Sequence, residues 1–243
     1  MRQNLLKKIE ELKQKIDDLR PLSPGEVKEI RKWYDVSYTY NSNAIEGNTL
    51  TLGQTKMIIE DGLTVGGKQI KEILEVKNHK NVLDKLFDIA KNKNNISEKL
   101  ILEFHEILLL DIDQENAEKY RKIQVYISGS EEKLPTAKRV PALMKNFLDW
   151  YAKDGKKLSP VVLAILFHYK FVKIHPFIDG NGRMARLLLN LILLRAGYPP
   201  IIVPVIRRQE YINAIQAGED AFVDFMLEIV EVNLEDYLRM VEF

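Results

Sequence analysis

The sequence contains no cysteine, so it forms neither disulfide bonds nor a metal site with thiolate ligands. This absence fits a reducing compartment. Net charge is also nearly absent, because 36 lysine and arginine residues stand against 35 aspartate and glutamate residues and leave +1. Such a balance argues against a general binder of nucleic acid or of membrane surfaces.

Long apolar runs are missing as well. Residues 1–20 are charged throughout and lack the apolar centre of a signal peptide. No window of the sequence is long and apolar enough to span a bilayer. We therefore expect a protein that works in the cytoplasm without membrane attachment.

What the sequence does have is helical periodicity over most of its 243 residues, of which 46% are hydrophobic. That is enough apolar material to bury a substantial core. Apolar residues at steps of four and three predict one buried face on a first helix, which we expect to pack on the body of the domain. These residues are Leu5, Ile9, Leu12, Ile16 and Leu19. Capping boxes at Ser23/Glu26 and Thr51/Gln54 predict the starts of two further helices.

One segment breaks this pattern. The stretch "KIQVYISGS", residues 122–130, alternates apolar and polar side chains and is rich in β-branched residues, which predicts a strand or hairpin arm. Strands do not otherwise alternate with helices, so a parallel sheet is not expected. The predicted fold class is all-α: a mainly helical, compact unit with one small β-hairpin over residues 122–136.

Two minor signals are better explained by structure than by chemistry. "GLTVGGKQ", residues 62–69, matches most of the phosphate-loop pattern, but Gln69 lacks the hydroxyl that the pattern requires and helix signals precede the stretch. We interpret it as a connection between helices. The histidines have no metal-ligand spacing; His105 and His168 are predicted to be buried, and His79 to be solvated on a charged helix.

The fourth histidine lies in the stretch "KIHPFIDGNGRMARLLLN", residues 173–190. His175 ends an apolar helix, because the proline that follows it disfavours further helical backbone. The glycines of residues 180–182 permit positive φ and bring backbone N–H groups close to a ligand. A new helix then begins, and its N-terminus attracts anions.

Charged side chains complete this predicted anion site. Arg183 and Arg186 lie three residues apart on one face of the first helical turn, and arginine binds phosphate oxygens in a fork. Asp179 either pairs with these arginines or holds a Mg²⁺ ion that bridges phosphates. A glycine-rich helix cap alone explains the glycines and Asn181, but it does not explain this combination with a histidine. We therefore predict a nucleotide phosphate site with His175 as a base beside it.

These residues carry a family resemblance. "HPFIDGNGRMAR" resembles the signature of the Fic (Fido) family, H-x-F-x-[DE]-G-N-G-R-x-x-R, and matches every fixed position. The similarity extends to residues 120–144, which look like the family's β-hairpin flap. The resemblance implies an N-terminal helical region over residues 1–95 and a Fic catalytic core over residues 96–243, together one compact unit.

The resemblance implies transfer of AMP from ATP to a serine, threonine or tyrosine hydroxyl of a target protein docked on the flap, with self-modification as a further outcome. His175 would be the general base, Asp179 would hold Mg²⁺, and Gly180, Asn181 and Gly182 would cradle the α- and β-phosphates. Arg183 would assist, and Arg186 would hold the γ-phosphate. Ile127 and Tyr211 align with positions that line the family's adenine pocket.

A second stretch, "YNSNAIEGNTL", resembles the family's inhibitory motif [ST]-x-x-x-E-[GN] through Ser42, Glu46 and Gly47. Its place before the core implies the subclass with an N-terminal inhibitory helix in the same chain. The simpler interpretation is a helix end with Gly47 as its stop.

Other functions stay open. The enzyme would instead remove AMP if Glu46 activates a water molecule, or it would transfer another phosphate-containing group. A helical DNA-binding regulator is the alternative from another class, but the sequence has no helix-turn-helix with a basic recognition helix. The sequence also leaves open a homo-oligomer.

Overall fold

The computed structural model of the chain describes residues 2–92, 95–126 and 133–241. The described residues are mainly helical, in agreement with the predicted class. In chain order the helices are α1 (Arg2–Asp17), α2 (Pro24–Ile45), α3 (Leu52–Glu60), α4 (Ile70–Ala90), α5 (Glu98–Leu108), α6 (Val140–Lys153), α7 (Pro160–Ile174), α8 (Asn181–Arg195), α9 (Arg208–Ala217) and α10 (Glu219–Val241).

The predicted capping boxes start α2 and α3. Ser23 Oγ accepts a hydrogen bond from the Glu26 N–H at 3.3 Å, and the Glu26 carboxylate accepts one from the Ser23 N–H at 2.7 Å. Thr51 and Gln54 make the same reciprocal pair at the start of α3. Each box satisfies two backbone donors that a helix N-terminus leaves without partners.

The core is built around α7 and α8, which pack against each other along their lengths. Almost every residue of α8 is buried, including its two motif arginines. The first helix packs on α10 and buries Ile9 and Leu12, as its apolar face predicts. A single hydrophobic cluster includes residues from α1, α2 and α4 together with those of α5–α10, so both sides of position 95 share one core.

The predicted β-hairpin is wrong for the part of it that the structure describes. Residues 122–126 and 133–136 contain no strand. The Arg121 guanidinium instead donates to backbone carbonyls in both arms, which replaces part of the hydrogen bonding of a two-stranded ladder. Two strands without a third are only marginally stable. Ile127 lies outside the described residues, between these arms.

The histidine predictions have a mixed outcome. His105 and His168 are buried, as expected, but the prediction of a solvated His79 is wrong, because this ring is fully buried. Its Nδ1 lies 3.1 Å from Thr39 Oγ1 of α2. The cause is tertiary packing: α4 contacts α2, α5 and α8, so a helix with many charged residues is covered on several sides.

The connection between α3 and α4 is the loop that was predicted for residues 62–69. Lys68 Nζ donates to the Thr49 carbonyl at 2.6 Å and to its hydroxyl at 2.8 Å. That lysine therefore ties two loops together. None of the helices in the described residues has both the length and the apolar character needed to cross a membrane.

Candidate active site

The site begins where α7 ends. The His175 N–H closes the last turn of the helix by donating to the Phe171 carbonyl at 3.0 Å, and His175 itself adopts left-handed backbone angles, with φ 50° and ψ 62°. Only a few per cent of residues other than glycine have positive φ. Nδ1 of the ring lies 3.3 Å from the Val172 carbonyl. A carbonyl only accepts, so this contact requires the proton on Nδ1 and makes Nε2 the basic nitrogen of the neutral ring.

Asn181 closes the loop that follows. Its side-chain oxygen accepts from the Phe177 N–H and its amide donates to the Phe177 carbonyl, both at 2.9 Å. Phe177 is fully buried and stacks on the His105 ring, with 3.6 Å between ring centroids. The loop is therefore fixed from inside by one amide and one aromatic ring.

His105 supports the same loop from α5. Its Nδ1 accepts from the Glu118 N–H at 3.2 Å, and its Nε2 lies 3.1 Å from the Asp179 carbonyl oxygen. Burial lowers the pKa of His105 to about 4, so the ring is neutral near pH 7. With Nδ1 as the acceptor, the proton is on Nε2, which donates to Asp179. Sequence reasoning predicted the burial of His105 but missed this contact.

Backbone donors gather at the start of α8. Gly180 has φ 81°, and a Cβ at this position would lie only 3.1 Å from Leu108 Cδ2, so the turn requires glycine. By helical geometry the first N–H groups of α8 have no partner within the helix and carry its partial positive charge. The turn thus presents an anion site at the position that the sequence predicts.

Asp179 stands beside this helix end. Its Oδ1 accepts from the Gly180 N–H at 2.6 Å and from Arg183 Nη2 at 3.1 Å, while Oδ2 lies 3.7 Å from Lys71 Nζ. Burial acts to raise the pKa of Asp179, but the Arg183 charge and the backbone donor outweigh it and hold the pKa below its usual value. The carboxylate is therefore ionised at neutral pH.

An ionised Asp179 with one oxygen outside hydrogen-bond range suits Mg²⁺, which commonly takes one or two carboxylates and fills its other positions with phosphate oxygens and water. Among the described residues there is no group of three or more acidic, histidine or cysteine side chains that would hold a metal alone. Phosphates would have to supply further ligands. The arginine pairing that the sequence left as an alternative is present as well.

Arg183 is almost completely buried, with 1% of its surface exposed. Nη1 lies 3.4 Å from Glu75 Oε1, which is ion-pair distance but not a hydrogen bond. Neither its Nε nor its Nη1 has a hydrogen-bond partner among the described residues. Buried donors without acceptors are costly, so the geometry suits an anionic ligand at this point.

Arg186, by contrast, has its donors occupied. Nη2 donates to Glu46 Oε1 and to the Ser42 carbonyl, both at 2.7 Å, and Nε donates to Ser42 Oγ at 3.1 Å. Nη1 donates to the Tyr211 hydroxyl at 3.3 Å. Burial acts against the charge, but the Glu46 carboxylate outweighs it and raises the pKa of Arg186. The end of α2 and the start of α8 are thus joined through an arginine–carboxylate pair.

Two glycines make this approach possible. Gly47 has φ 98° and ends α2 directly after Glu46. At Gly182, a Cβ atom would collide with Glu46 Oε1 and would lie 3.1 Å from Arg186 Nη1. The Glu46 carboxylate therefore lies against the anion loop, where only a residue without a side chain leaves room for it.

Tyr211 of α9 lies on the other side of Arg186. Its hydroxyl is 2.9 Å from His168 Nε2, and burial raises its pKa, so the phenol is neutral. Burial, reinforced by the Arg186 charge, lowers the pKa of His168 well below its usual value. The structure thus brings Tyr211 to the predicted site, while its role in an adenine pocket stays a prediction.

Sequence reasoning missed the contribution of α4. Lys71 reaches Asp179, and Glu75 reaches Arg183 while it accepts a hydrogen bond from Asn48 Nδ2 at 2.9 Å. Both side chains lie on a helix whose charges read as an ordinary solvated face. No local pattern marks them, because only tertiary packing brings α4 to the loop.

Comparison with known proteins follows the same residues. The Fic/DOC family model matches residues 95–193, which contain the α7–α8 loop. The chain is also similar to the Protein adenylyltransferase Fic of Drosophila melanogaster, with 36% identity over 239 residues. That match covers 96% of this chain and 48% of the relative. The chain therefore spans about half the length of the curated relatives it matches.

Solved structures extend the similarity to the N-terminal helices. A Fic domain containing signaling protein from Bacteroides thetaiotaomicron superposes with a TM-score of 0.88 at 30% identity, covering 97% of this chain and 98% of that chain. Fic-1 from C. elegans superposes with a TM-score of 0.86 at 33% identity, covering 98% of this chain and 72% of that chain. The shared architecture thus includes α1–α4 as well as the residues that the family model matches.

Proposed function

The chain belongs to the Fic/DOC family, and from this premise we propose that it is a protein adenylyltransferase. It would transfer AMP from ATP to a serine, threonine or tyrosine hydroxyl of a target protein. The observation that carries the proposal is the α7–α8 loop, where His175 precedes a helix N-terminus with two buried arginines. Similarity to curated adenylyltransferases supports it.

The loop supplies the contacts that a nucleoside triphosphate needs. The backbone of residues 180–182 would hold the α- and β-phosphates at the helix N-terminus. The unpaired donors of Arg183 would take further phosphate oxygens, and Arg186 would hold the γ-phosphate. The adenine would lie toward Tyr211 and Ile127. Asp179 would hold Mg²⁺, which when bound offsets the negative charge of the phosphates.

The transfer step uses His175 as its base. Nε2 accepts the proton of the target hydroxyl as the hydroxyl oxygen forms a bond to the α-phosphorus. The bond between the α-phosphorus and the oxygen that bridges to the β-phosphate breaks, and pyrophosphate leaves with that electron pair. His175 is left protonated and later returns its proton to solvent. Backbone donors and arginines stabilise the charge that develops on the phosphate oxygens.

Glu46 would restrain this activity. Its pairing with Arg186 occupies the guanidinium that we assign to the γ-phosphate. ATP that cannot place its γ-phosphate would bind with the α-phosphate poorly aligned for attack. We therefore propose that the chain in its unmodified form is a weak transferase, restrained by its own α2 helix.

The flap segment over residues 122–136 is the proposed docking edge for the target. In its described part Tyr126 is 85% exposed and Ile123 is 60% exposed, although neither lies in a hydrophobic core. An extended target segment would pair with this edge through main-chain hydrogen bonds. A structure of a target complex without such pairing would contradict this docking mode. Self-modification would use the same edge.

The function is tested with cell lysate. The Glu46→Gly variant is incubated with lysate, ATP and Mg²⁺, and modified proteins are identified by mass spectrometry. We expect serine, threonine or tyrosine residues that carry AMP, and none in a parallel sample with the additional His175→Ala substitution. Modification by a phosphate alone, or by AMP in both samples, would overturn the proposal.

A further inference from the structure

Arg121 is a buried arginine between the flap and the catalytic loop. It is 3% exposed, and burial lowers its pKa. All three nitrogens of its guanidinium donate to backbone carbonyls. Because a buried guanidinium is costly unless its donors are satisfied, this arrangement is expected to be specific in its geometry.

One half of these contacts holds the catalytic loop. Nε of Arg121 donates to the His175 carbonyl at 2.8 Å, and its backbone N–H donates to the Pro176 carbonyl at 2.9 Å. His175 has φ 50°, a conformation that persists only when its surroundings fix it. Arg121 therefore fixes the backbone on the C-terminal side of that strained residue, while the α7 hydrogen bond to Phe171 fixes the other side.

The other half holds both arms of the flap. Nη1 donates to the Ile123 carbonyl at 3.2 Å, and Nη2 donates to the Pro135 carbonyl at 2.5 Å. The two arms flank the proposed docking edge. One rigid guanidinium thus sets the distance between that edge and the backbone of the base.

We propose that Arg121 is a positioning residue that couples docking of the target on the flap to the placement of His175. The inference rests on the proposed AMP transfer and names the link between its two parts. A target held by the flap presents its hydroxyl at a fixed height above the loop, and Arg121 keeps His175 at the matching position. Arginine is required because lysine offers a single nitrogen and cannot reach three carbonyls in a fork.

The inference is tested in the Glu46→Gly background with two variants, Arg121→Lys and Arg121→Met. Misplacement of a reacting group by about 1 Å costs about 100-fold in rate. We expect kcat for AMP transfer to fall about 10-fold with lysine and about 100-fold with methionine, with KM for ATP changed less than about twofold. Arg139→Lys is the matched control, because Arg139 is exposed at the base of the same flap; its kcat should equal that of the parent.

A purely structural role would move other quantities. It would lower the melting temperature and raise KM for ATP together, whereas unchanged kcat in both Arg121 variants would overturn the inference directly. If Arg121→Met does not fold, the lysine variant decides. If the Glu46→Gly parent transfers no AMP, the proposed function fails instead, and the structural part is judged by NMR of labelled histidines. In that spectrum the His175 signals should move in Arg121→Lys while those of His105, His79 and His168 stay in place; unmoved His175 signals would contradict the inference.

Discussion

Removal of the Glu46 carboxylate is the change from which we expect the largest gain of activity. In the structure Arg186 is 3% exposed at its side chain and Glu46 is 39% exposed, with 2.7 Å between Nη2 and Oε1. Glu46→Gly takes away this acceptor and its charge. Arg186 keeps its hydrogen bonds to the Ser42 carbonyl and hydroxyl, so it stays in place with a donor available for the γ-phosphate.

The size of the effect follows from the strength of that pair. A hydrogen bond to a charged group contributes about 1.5–3 kcal/mol when it is buried. Solvent screens the more exposed partner, which reduces the contribution to about 1–2 kcal/mol. This energy changes the ratio of competent to blocked sites about 5- to 30-fold. We expect AMP transfer by Glu46→Gly to exceed that of the parent by this factor.

The assay compares initial rates of AMP incorporation, on the protein itself or on a target, at equal ATP and Mg²⁺. Glu46→Gln is the matched control, because it keeps the length of the side chain and an acceptor oxygen but removes the charge; we expect an intermediate rate. Arg186→Ala should be inactive even in the Glu46→Gly background. Equal rates for the parent and Glu46→Gly would refute the inhibitory role of Glu46 and leave the nucleotide site as described.

Three further predictions concern the loop and its supports. His175→Ala should abolish transfer while ATP affinity and melting temperature stay near those of the parent, and full activity in this variant would remove the base assignment. Asp179→Asn should remove most of the Mg²⁺ dependence of ATP binding measured by calorimetry, whereas an unchanged dependence would place the ion elsewhere. The pKa of His105 is about 4 in the folded chain and 6.5 when unperturbed. The unfolded chain therefore binds the proton first, and stability is lost as pH falls below the unperturbed value. Between about pH 7.5 and about pH 5 the free energy of unfolding should fall by about 2 kcal/mol on account of this group. His105→Gln should remove that share of the pH dependence in denaturant titrations, and an unchanged slope would contradict the assignment.

The loop could be predicted because its chemistry is contiguous in sequence. Residues 175–186 place a histidine, a carboxylate, two glycines and two arginines around one helix start, and helix geometry alone brings them together. The contact between Glu46 and Arg186 spans 140 positions and is not local. It was predicted from the resemblance to a family motif and not from periodicity.

The remaining parts depended on tertiary packing. Lys71 and Glu75 were missed because charge on a helix normally indicates a solvated face, and the same reasoning made the prediction for His79 wrong. In the described arms of the flap, alternation of apolar and polar residues predicted strands, but Arg121 takes carbonyls that a ladder would use. Alternation reports only side-chain patterning and cannot show which donor a carbonyl will find.

The central claim is that the nucleotide transferred is AMP and that the base is His175. It is tested most directly by incubating Glu46→Gly with Mg²⁺ and ATP labelled in parallel at the α-phosphate or at the γ-phosphate, and then measuring label bound to protein. We predict covalent label from the α-position only, with its loss in Glu46→Gly combined with His175→Ala. Label from the γ-position, or α-label that survives the histidine substitution, would contradict the account.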